Sequence, residues 1–439
     1  MQRGVAKKNV DNLDALNKEL SDAGISPTAF TKNSTYIMSG GDHPAPLLIF
    51  ENICRLIERD KKLIGRFRLN EFSHMVEAQE NGEWKNLSDI RIYEMQRYIS
   101  SNYRAFAKIS TDMTTSAIRA TAYQNKANPP RDYLTGLSWD KVARLDSWLT
   151  SAYGTPDTAV YHAIGSNWIK GLVKRVMQPG CQFDEILVLE SPTQGWRKST
   201  SLRELAKPWH VECTTSINDK DFYMNIAQNV VVEFSEGDAL TRVDARKIKA
   251  IVTKVEDQWR APYERGLQTY PRGCVFAMTT NDRDYQKDDT GGRRWLPVEL
   301  QKIADIDWIK ENRDQLYAEA YHRVMVLKET THEYPQEEIE SMQDERMEHD
   351  DYEEAVARWY VRLPDAVKEE GIRIIDVYQG VMSKNSDKEM SRLVQMQLAG
   401  MLRRVLFLEK RQNMQNGIRA MRWYSSRKTP KSKDILEDL

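Results

Sequence analysis

Cysteine is scarce: Cys54, Cys181, Cys213 and Cys274 are the only four in 439 residues. They are scattered, with no CxxC pair, which argues against a disulfide-stapled scaffold and a zinc ribbon. Long apolar runs are missing too. No stretch of eighteen or more apolar residues occurs, and the opening MQRGVAKKNVDNLDALNKEL has no apolar leader core. Neither membrane insertion nor secretion is therefore expected, and a reducing cytoplasm is the expected compartment. Net charge is nearly absent as well: 64 Lys and Arg against 65 Asp and Glu leave −1. Before Tyr133 there are acids (Glu51, Glu58, Asp60, Glu71) but no Asp-x-Asp and no metal-ligand cluster, so that region reads as a structural or interaction domain rather than a primase. No internal repeat is visible.

The distribution of charge says more than its sum. Between Glu333 and Glu354 stand eleven acids against Arg346 alone, whereas Arg403 to Lys433 holds ten Lys and Arg against Glu409. Such a split predicts separate modules, the basic one facing an anionic partner or forming a solvated tail. With 40% hydrophobic residues the chain is a globular one, too long for a single ordinary core.

Punctuation and periodicity divide the chain further. Residues 1–45 read as a short helix and a flexible lead. Residues 46–130 read as an α+β domain, with a helix in LLIFENICRLIERDKKLIG, a strand or hairpin in GRFRLNEFSHMVEA, and a second helix around Ile90 to Tyr103. Residues 131–180 read as a helical collar in which Leu134, Leu137, Trp139, Val142, Leu145, Trp148 and Leu149 recur at threes and fours; the helix AVYHAIGSNWIKGLVKRVM then stops at Gln178-Pro179-Gly180. In 181–330 the short runs EILVLE, NVVVEF and GCVFAMTTN alternate with helical segments, which predicts an α/β core with a parallel sheet flanked by helices. Residues 331–360 read as an acidic linker or exposed helix. Residues 361–439 read as helix, turn, helix and basic hairpin, the outline of a winged helix.

The chemistry concentrates in 181–330. ILVLESPTQGWRKSTSLRELA is a strand, a polar loop and a helix that begins within Lys-Ser-Thr. That is the layout of a phosphate-binding loop: backbone N–H groups at a helix start point at phosphate, a lysine neutralises it, and a hydroxyl binds Mg²⁺. Lys198 and Ser199 take the last two roles, within a nucleotide-contacting run of Gln194, Gly195, Trp196, Arg197, Lys198, Ser199 and Thr200. The motif departs from GxxxxGK[ST] at Pro192 and Arg197, where glycines are expected. Arg197 either exchanges backbone freedom for positive charge near phosphate or marks a weakened site. Alone, the loop is equally compatible with a surface turn holding a chance Lys-Ser-Thr.

The motifs behind it come in the order such a site needs. NVVVEFSEGDAL ends a strand in Glu233 and Glu236, Glu233 read as the metal-side carboxylate and Glu236 as the one that polarises water, with the two roles open to exchange. Acids after a strand are otherwise ordinary solvated caps. Asn281 closes GCVFAMTTN, where an amide can sense the γ-phosphate. Arg293 and Arg294 follow a Gly-Gly and suit an arginine finger reaching a neighbouring subunit, or else pack on Trp295 or acids at an interface. Tyr263-Glu264-Arg265-Gly266-Leu267 reads as a turn joining two extended arms, with Arg260, Tyr263 and Arg265 as candidates to grip single-stranded nucleic acid.

Together RFRLNEFS, DYLTGLSWDKVARLDSWL, RVMQPGCQFDEILVLE, the QGxxKST loop, VVVEFSE, WRAPYER, TTNDRDY and TGGRRWLPVEL resemble the virulence-associated protein E family of phage and mobile-element proteins. These are P-loop ATPases related to superfamily 3 helicases, and the resemblance spans roughly 48–330. It implies an AAA+-like core, ATP and Mg²⁺ as cofactors, hexameric rings, DNA as partner, a bacterial host cytoplasm, and a part in replicating phage or island DNA. The matching positions are Lys198, Ser199, Glu233, Glu236, Asn281, Arg293 and Arg294. The expected function is an ATP-driven helicase or origin-melting factor. The alternatives are a DNA-binding or replisome-interacting protein with a degenerate loop, and a regulator that loads another helicase without unwinding DNA.

Overall fold

A computed structural model of the chain describes residues 36–40, 45–213, 221–235, 242–262, 266–282, 285, 292–346, 352–382, 390, 392–415 and 418–426. It divides into two compact units. One comprises 1–237, 247–281 and 294–336; the other comprises 238–246, 282–293 and 337–439. The segments 46–130, 131–180 and 181–330 read from the sequence therefore share most of one unit. The N-terminal lead falls almost wholly outside the described residues.

Among the described residues the first unit begins with helix α1 (Phe50–Arg59), strands β1 (Phe67–Asn70), β2 (Met75–Glu80) and β3 (Glu83–Asn86), then helices α2 (Asp89–Asn102) and α3 (Thr111–Gln124). A short β4 (Lys126–Ala127) completes a sheet of order β3-β2-β1-β4. Serines set the helix starts: Ser88 accepts from the N–H of Arg91, and Ser110 from that of Met113. Ile53, Leu56, Phe67, Met95, Phe106 and Ile118 form its core.

The collar is broken rather than continuous. Helix α4 (Pro129–Gly136) opens on two prolines behind an Asn128 cap, and helix α5 (Trp148–Tyr153) follows an irregular stretch. Lys141 there has φ of +68°, which no helix allows. Leu134, Leu145, Trp148 and Leu149 are buried as the periodicity predicts, while Val142 is exposed.

Helix α6 (Ala159–Met177) leads into the central sheet: β5 (Ile186–Glu190), helix α7 (Lys198–Ala206), β6 (His210–Glu212), α8 (Asp221–Ala227), β7 (Val231–Ser235), α9 (Arg242–Val252), the hairpin β8 (Glu256–Trp259) and β9 (Gln268–Pro271), β10 (Val275–Thr280), β11 (Trp295–Glu299) and α10 (Ile306–Tyr321). The sheet has the order β11-β5-β10-β7-β6, and every pairing is parallel. Every residue of β5 and β10 is buried, as both faces of a covered parallel sheet require. Each such Val, Leu or Ile contributes roughly 1.5–3 kcal/mol.

α6 lies close against this layer. A Cβ added to Gly171 would sit 2.1 Å from Cε2 of Phe183, whose ring is buried. Gly171→Ala is therefore expected to destabilise the first unit by about 1–3 kcal/mol, although alanine is the better helix former. Urea unfolding of the two proteins measures it, and an unchanged or raised midpoint would contradict the packing.

In the second unit, α11 (Gln336–Asp344), α12 (Glu353–Val361), α13 (Asp365–Glu370), α14 (Ile374–Val377) and α15 (Arg392–Arg404) precede the antiparallel hairpin β12 (Glu409–Gln415) and β13 (Ile418–Tyr424). Ile372 bridges Trp423, and Val356, Leu398, Leu402 and Leu408 pack with that indole. The acidic stretch is thus partly helical. No helix among the described residues is long and apolar enough to cross a membrane, and none of the cysteines is in a disulfide.

Candidate nucleotide site

Strand order places the site. β5 and β10 are neighbours, yet the chain leaves β5 for β6 at one edge and leaves β10 for β11 at the other. Right-handed crossovers send these connections over opposite faces, so a crevice lies between the two carboxyl ends. Ser191 follows β5 and Asn281 follows β10, and this is where the predicted residues meet.

Lys198, first residue of α7, is buried, and its ammonium donates to Asn281 Oδ1 at 2.7 Å and to the Ser191 hydroxyl. The Ser191 hydroxyl in turn donates to the carbonyl of Thr193 at 2.8 Å, closing the loop on itself. A second chain runs beside it. Ser199 Oγ lies 3.5 Å from Thr279 Oγ1, which donates to Glu233 Oε1 at 2.8 Å. His210 Nε2 lies 2.9 Å from the other carboxylate oxygen of Glu233. Burial pushes the Glu233 carboxyl up, but hydrogen bonds from His210, Ser199 and Thr279 outweigh it and hold the group below the usual carboxylate range. Glu233 is accordingly an anion at neutral pH despite being fully buried.

The loop's departures from the motif have a structural answer. Gly195 has φ of +89° and Arg197 has φ of +58° and ψ of +27°, both left-handed. Arg197 thus adopts the backbone that glycine would take without strain, at a cost of about 1–2 kcal/mol. The carbonyl of Trp196 accepts from the N–H of Ala304 at 3.1 Å, which ties the loop to the segment after β11. Pro192, Gln194 and Thr200 are exposed. Arg197→Gly is expected to preserve the loop and shift stability by less than about 1 kcal/mol, because relief of strain offsets the entropy of glycine. Arg197→Val should lose about 1–2 kcal/mol or more, since a β-branched residue resists φ above zero. Thermal unfolding of both variants checks this, and equal midpoints would refute it.

The donor set fits Mg-nucleotide chemistry. Mg²⁺ is held by one or two oxygen side chains, substrate phosphates and waters, not by an all-protein cage. Ser199 and Glu233 stand on either side of Thr279 in that sense. Among the described residues no group of three or more His, Cys, Asp or Glu side chains comes together.

Other predicted residues lie elsewhere. Glu236, Tyr263 and Arg265 are outside the described residues. Arg260 is exposed at the end of β8, and the two arms expected around it are β8 and β9, paired antiparallel. Arg294 precedes β11, at the amino end of the sheet: its Nε lies 3.1 Å from Asp184 Oδ2 and donates to Thr253 Oγ1 at 3.2 Å. The length of a five-residue strand, roughly 17 Å, separates that end from the loop before Lys198. Arg294 is therefore not brought to its own chain's Lys198. Arg293 is exposed and belongs to the second unit.

Sequence reasoning missed two residues that touch the site. His210 sits on β6 with Val231 as register partner, which puts it diagonal to Glu233 on one face. Tyr153, buried at the end of α5, has its hydroxyl 2.9 Å from Ser201 Oγ on α7.

Residues 134–351 match the family profile of the virulence-associated protein E-like domain. Two solved structures, both of the NrS-1 C-terminal region in its apo form, are similar to this chain. One aligns with 11% identity and a TM-score of 0.42 over 82% of this chain and 96% of that one. The other aligns with 9% identity and a TM-score of 0.45 over 82% and 95%. No curated protein matches the chain.

Proposed function

We propose, from the premise that the chain belongs to the virulence-associated protein E family through residues 134–351, that it is a P-loop ATPase of AAA+ type acting as a replicative helicase or origin-melting factor of a phage or mobile element. The observation that carries this reading is the meeting of Lys198 and Ser199, at the start of α7, with Asn281 after β10 and with Glu233, the middle residue of β7, across three adjacent parallel strands.

ATP would supply the scissile phosphoanhydride, and Mg²⁺ would neutralise part of its charge. The rest falls to the chain. N–H groups at the start of α7 and the Lys198 ammonium bind the β- and γ-phosphates. Ser199 and Glu233 would hold the Mg²⁺ that accompanies the nucleotide, Ser199 through its hydroxyl and Glu233 through its carboxylate. Asn281, which already positions Lys198, places its amide against the γ-phosphate or the attacking water, and Glu236 polarises that water. Arg293 serves as the finger for the next subunit of a ring, a hexamer in this reading; Arg294 shapes that end of β11. Arg260, with Tyr263 and Arg265, presents the hairpin β8–β9 to single-stranded DNA. The helices of the second unit and its basic hairpin, where Lys410 and Arg411 are exposed, act as a winged helix on duplex DNA.

The strained Arg197 and the full engagement of both Glu233 oxygens favour a second reading, a DNA-binding or helicase-loading protein with little turnover. Phosphate release with and without single-stranded DNA, beside strand displacement on a forked duplex, separates the two. ATP turnover stimulated by DNA and coupled to displacement is the expected result. A folded protein that neither hydrolyses ATP nor gains thermal stability from Mg-ATP would overturn the ATPase reading.

A further inference from the structure

Helix α3 carries a cation and an aromatic ring that no step above uses. Arg119 and Tyr123 are four residues apart and so share one face, while Ala117, Ile118 and Ala122 turn into the core. Tyr123 is 45% exposed. Both side chains line a groove with His74 and Leu87 of the N-terminal segment and with Ala261 and Pro262, which follow β8. Arg260, exposed, is the next residue along.

This groove lies at a fastened joint. The His74 ring stacks on Tyr270 of β9 with centroids 4.2 Å apart, and Tyr270 packs on Trp259 of β8 at 4.8 Å. A Cβ on Gly273 would meet Phe72 at 2.6 Å, so the turn after β1 closes directly on the chain following β9. The base of the hairpin and the N-terminal α+β segment therefore meet along this groove, with Arg119 and Tyr123 in its lining and the exposed Arg260 directly preceding Ala261 in the chain.

We infer that this groove is a single-stranded nucleic-acid track, in which a base stacks on Tyr123 while Arg119 and Arg260 hold flanking phosphates. Stacking on an aromatic face beside cations is how single strands are bound without sequence preference. The apolar wall of Leu87 and Pro262 suits the flat edge of a base, and an acidic peptide would use the cations but gain little from the ring. The inference rests on the nucleic-acid reading of the hairpin β8–β9, and it assigns to the N-terminal segment a binding role that its composition did not suggest.

Anisotropy of a labelled oligothymidylate with the full chain, over a salt series, tests it. Tyr123→Ala should weaken binding by about 5- to 100-fold at an unchanged unfolding midpoint, and Tyr123→Phe should restore it. Arg119→Ala should reduce the slope of log affinity against log salt by about 0.7. Wild-type affinity in Tyr123→Ala, with Arg260→Ala weakened, would overturn the track and leave the hairpin reading standing. Equal losses in Tyr123→Phe and Tyr123→Ala would overturn stacking. If the wild-type protein binds no oligothymidylate, the hairpin reading falls and the track with it.

Discussion

Lys198→Ala is expected to reduce ATP turnover by a factor on the order of 10²–10³, the usual loss when one preorganised charge is removed from a developing phosphate anion. Lys198 is the one cation in the site's hydrogen-bonded chain, held by Asn281 and Ser191 at the crevice between β5 and β10. Alanine removes the charge that, in the proposed function, meets the β- and γ-phosphates. It also leaves Asn281 Oδ1 without that donor, a cost of about 1–3 kcal/mol if no water replaces it. Two measurements separate the effects: phosphate release at saturating Mg-ATP, and the unfolding midpoint without nucleotide. Turnover should collapse while the midpoint falls modestly. Wild-type turnover in Lys198→Ala would remove this lysine from catalysis and, with it, the identification of the loop.

The parts of this site that were legible in the sequence are those written locally. Apolar runs of five or six residues announced β5, β7 and β10, because strands buried on both faces cannot alternate. The loops after them then had to converge, and Lys198, Ser199 and Asn281 do, while Glu233, expected at the end of its strand, lies in the middle of β7 and reaches Ser199 through Thr279. The edge strands were harder. β6 has three residues, and β11 contains Pro297, which argues against a central strand and is tolerated because β11 pairs only with β5. α3 escaped notice because its core face is made of Ala117, Ala122 and a single large residue, Ile118, among threonines and serines. His210 and Tyr153 reach the site across sheet register and helix packing, which no spacing along the chain records. The backbone of Arg197 was invisible for a different reason: the motif predicts glycine there, and only the observed φ shows that the loop keeps its shape with another residue.

Asp257→Ala is expected to destabilise the first unit by about 3–5 kcal/mol, through a change outside the candidate nucleotide site. Arg272 Nε donates to Asp257 Oδ2 at 2.8 Å, a second guanidinium nitrogen pairs with Oδ1, and a third donates to the carbonyl of Ile251. Both side chains are buried, and the guanidinium lies 5.3 Å from the centroid of the Phe276 ring on β10. Burial works against the charge on Arg272, yet its bonds to Asp257 outweigh that and hold its pKa above the ordinary value. Removing the carboxylate leaves a buried cation with one carbonyl for compensation. The pair also joins β8 to the residue after β9, beside the end of α9, so its loss should loosen the hairpin and weaken single-strand binding together with stability. A double change, Asp257→Leu with Arg272→Met, removes both charges and should recover most of the loss, because an apolar pair of similar volume is often near neutral in place of a buried ion pair. Urea unfolding of the three proteins decides it. If the double variant is as unstable as Asp257→Ala, the cost comes from packing rather than from an uncompensated charge, and the electrostatic account of the joint is wrong.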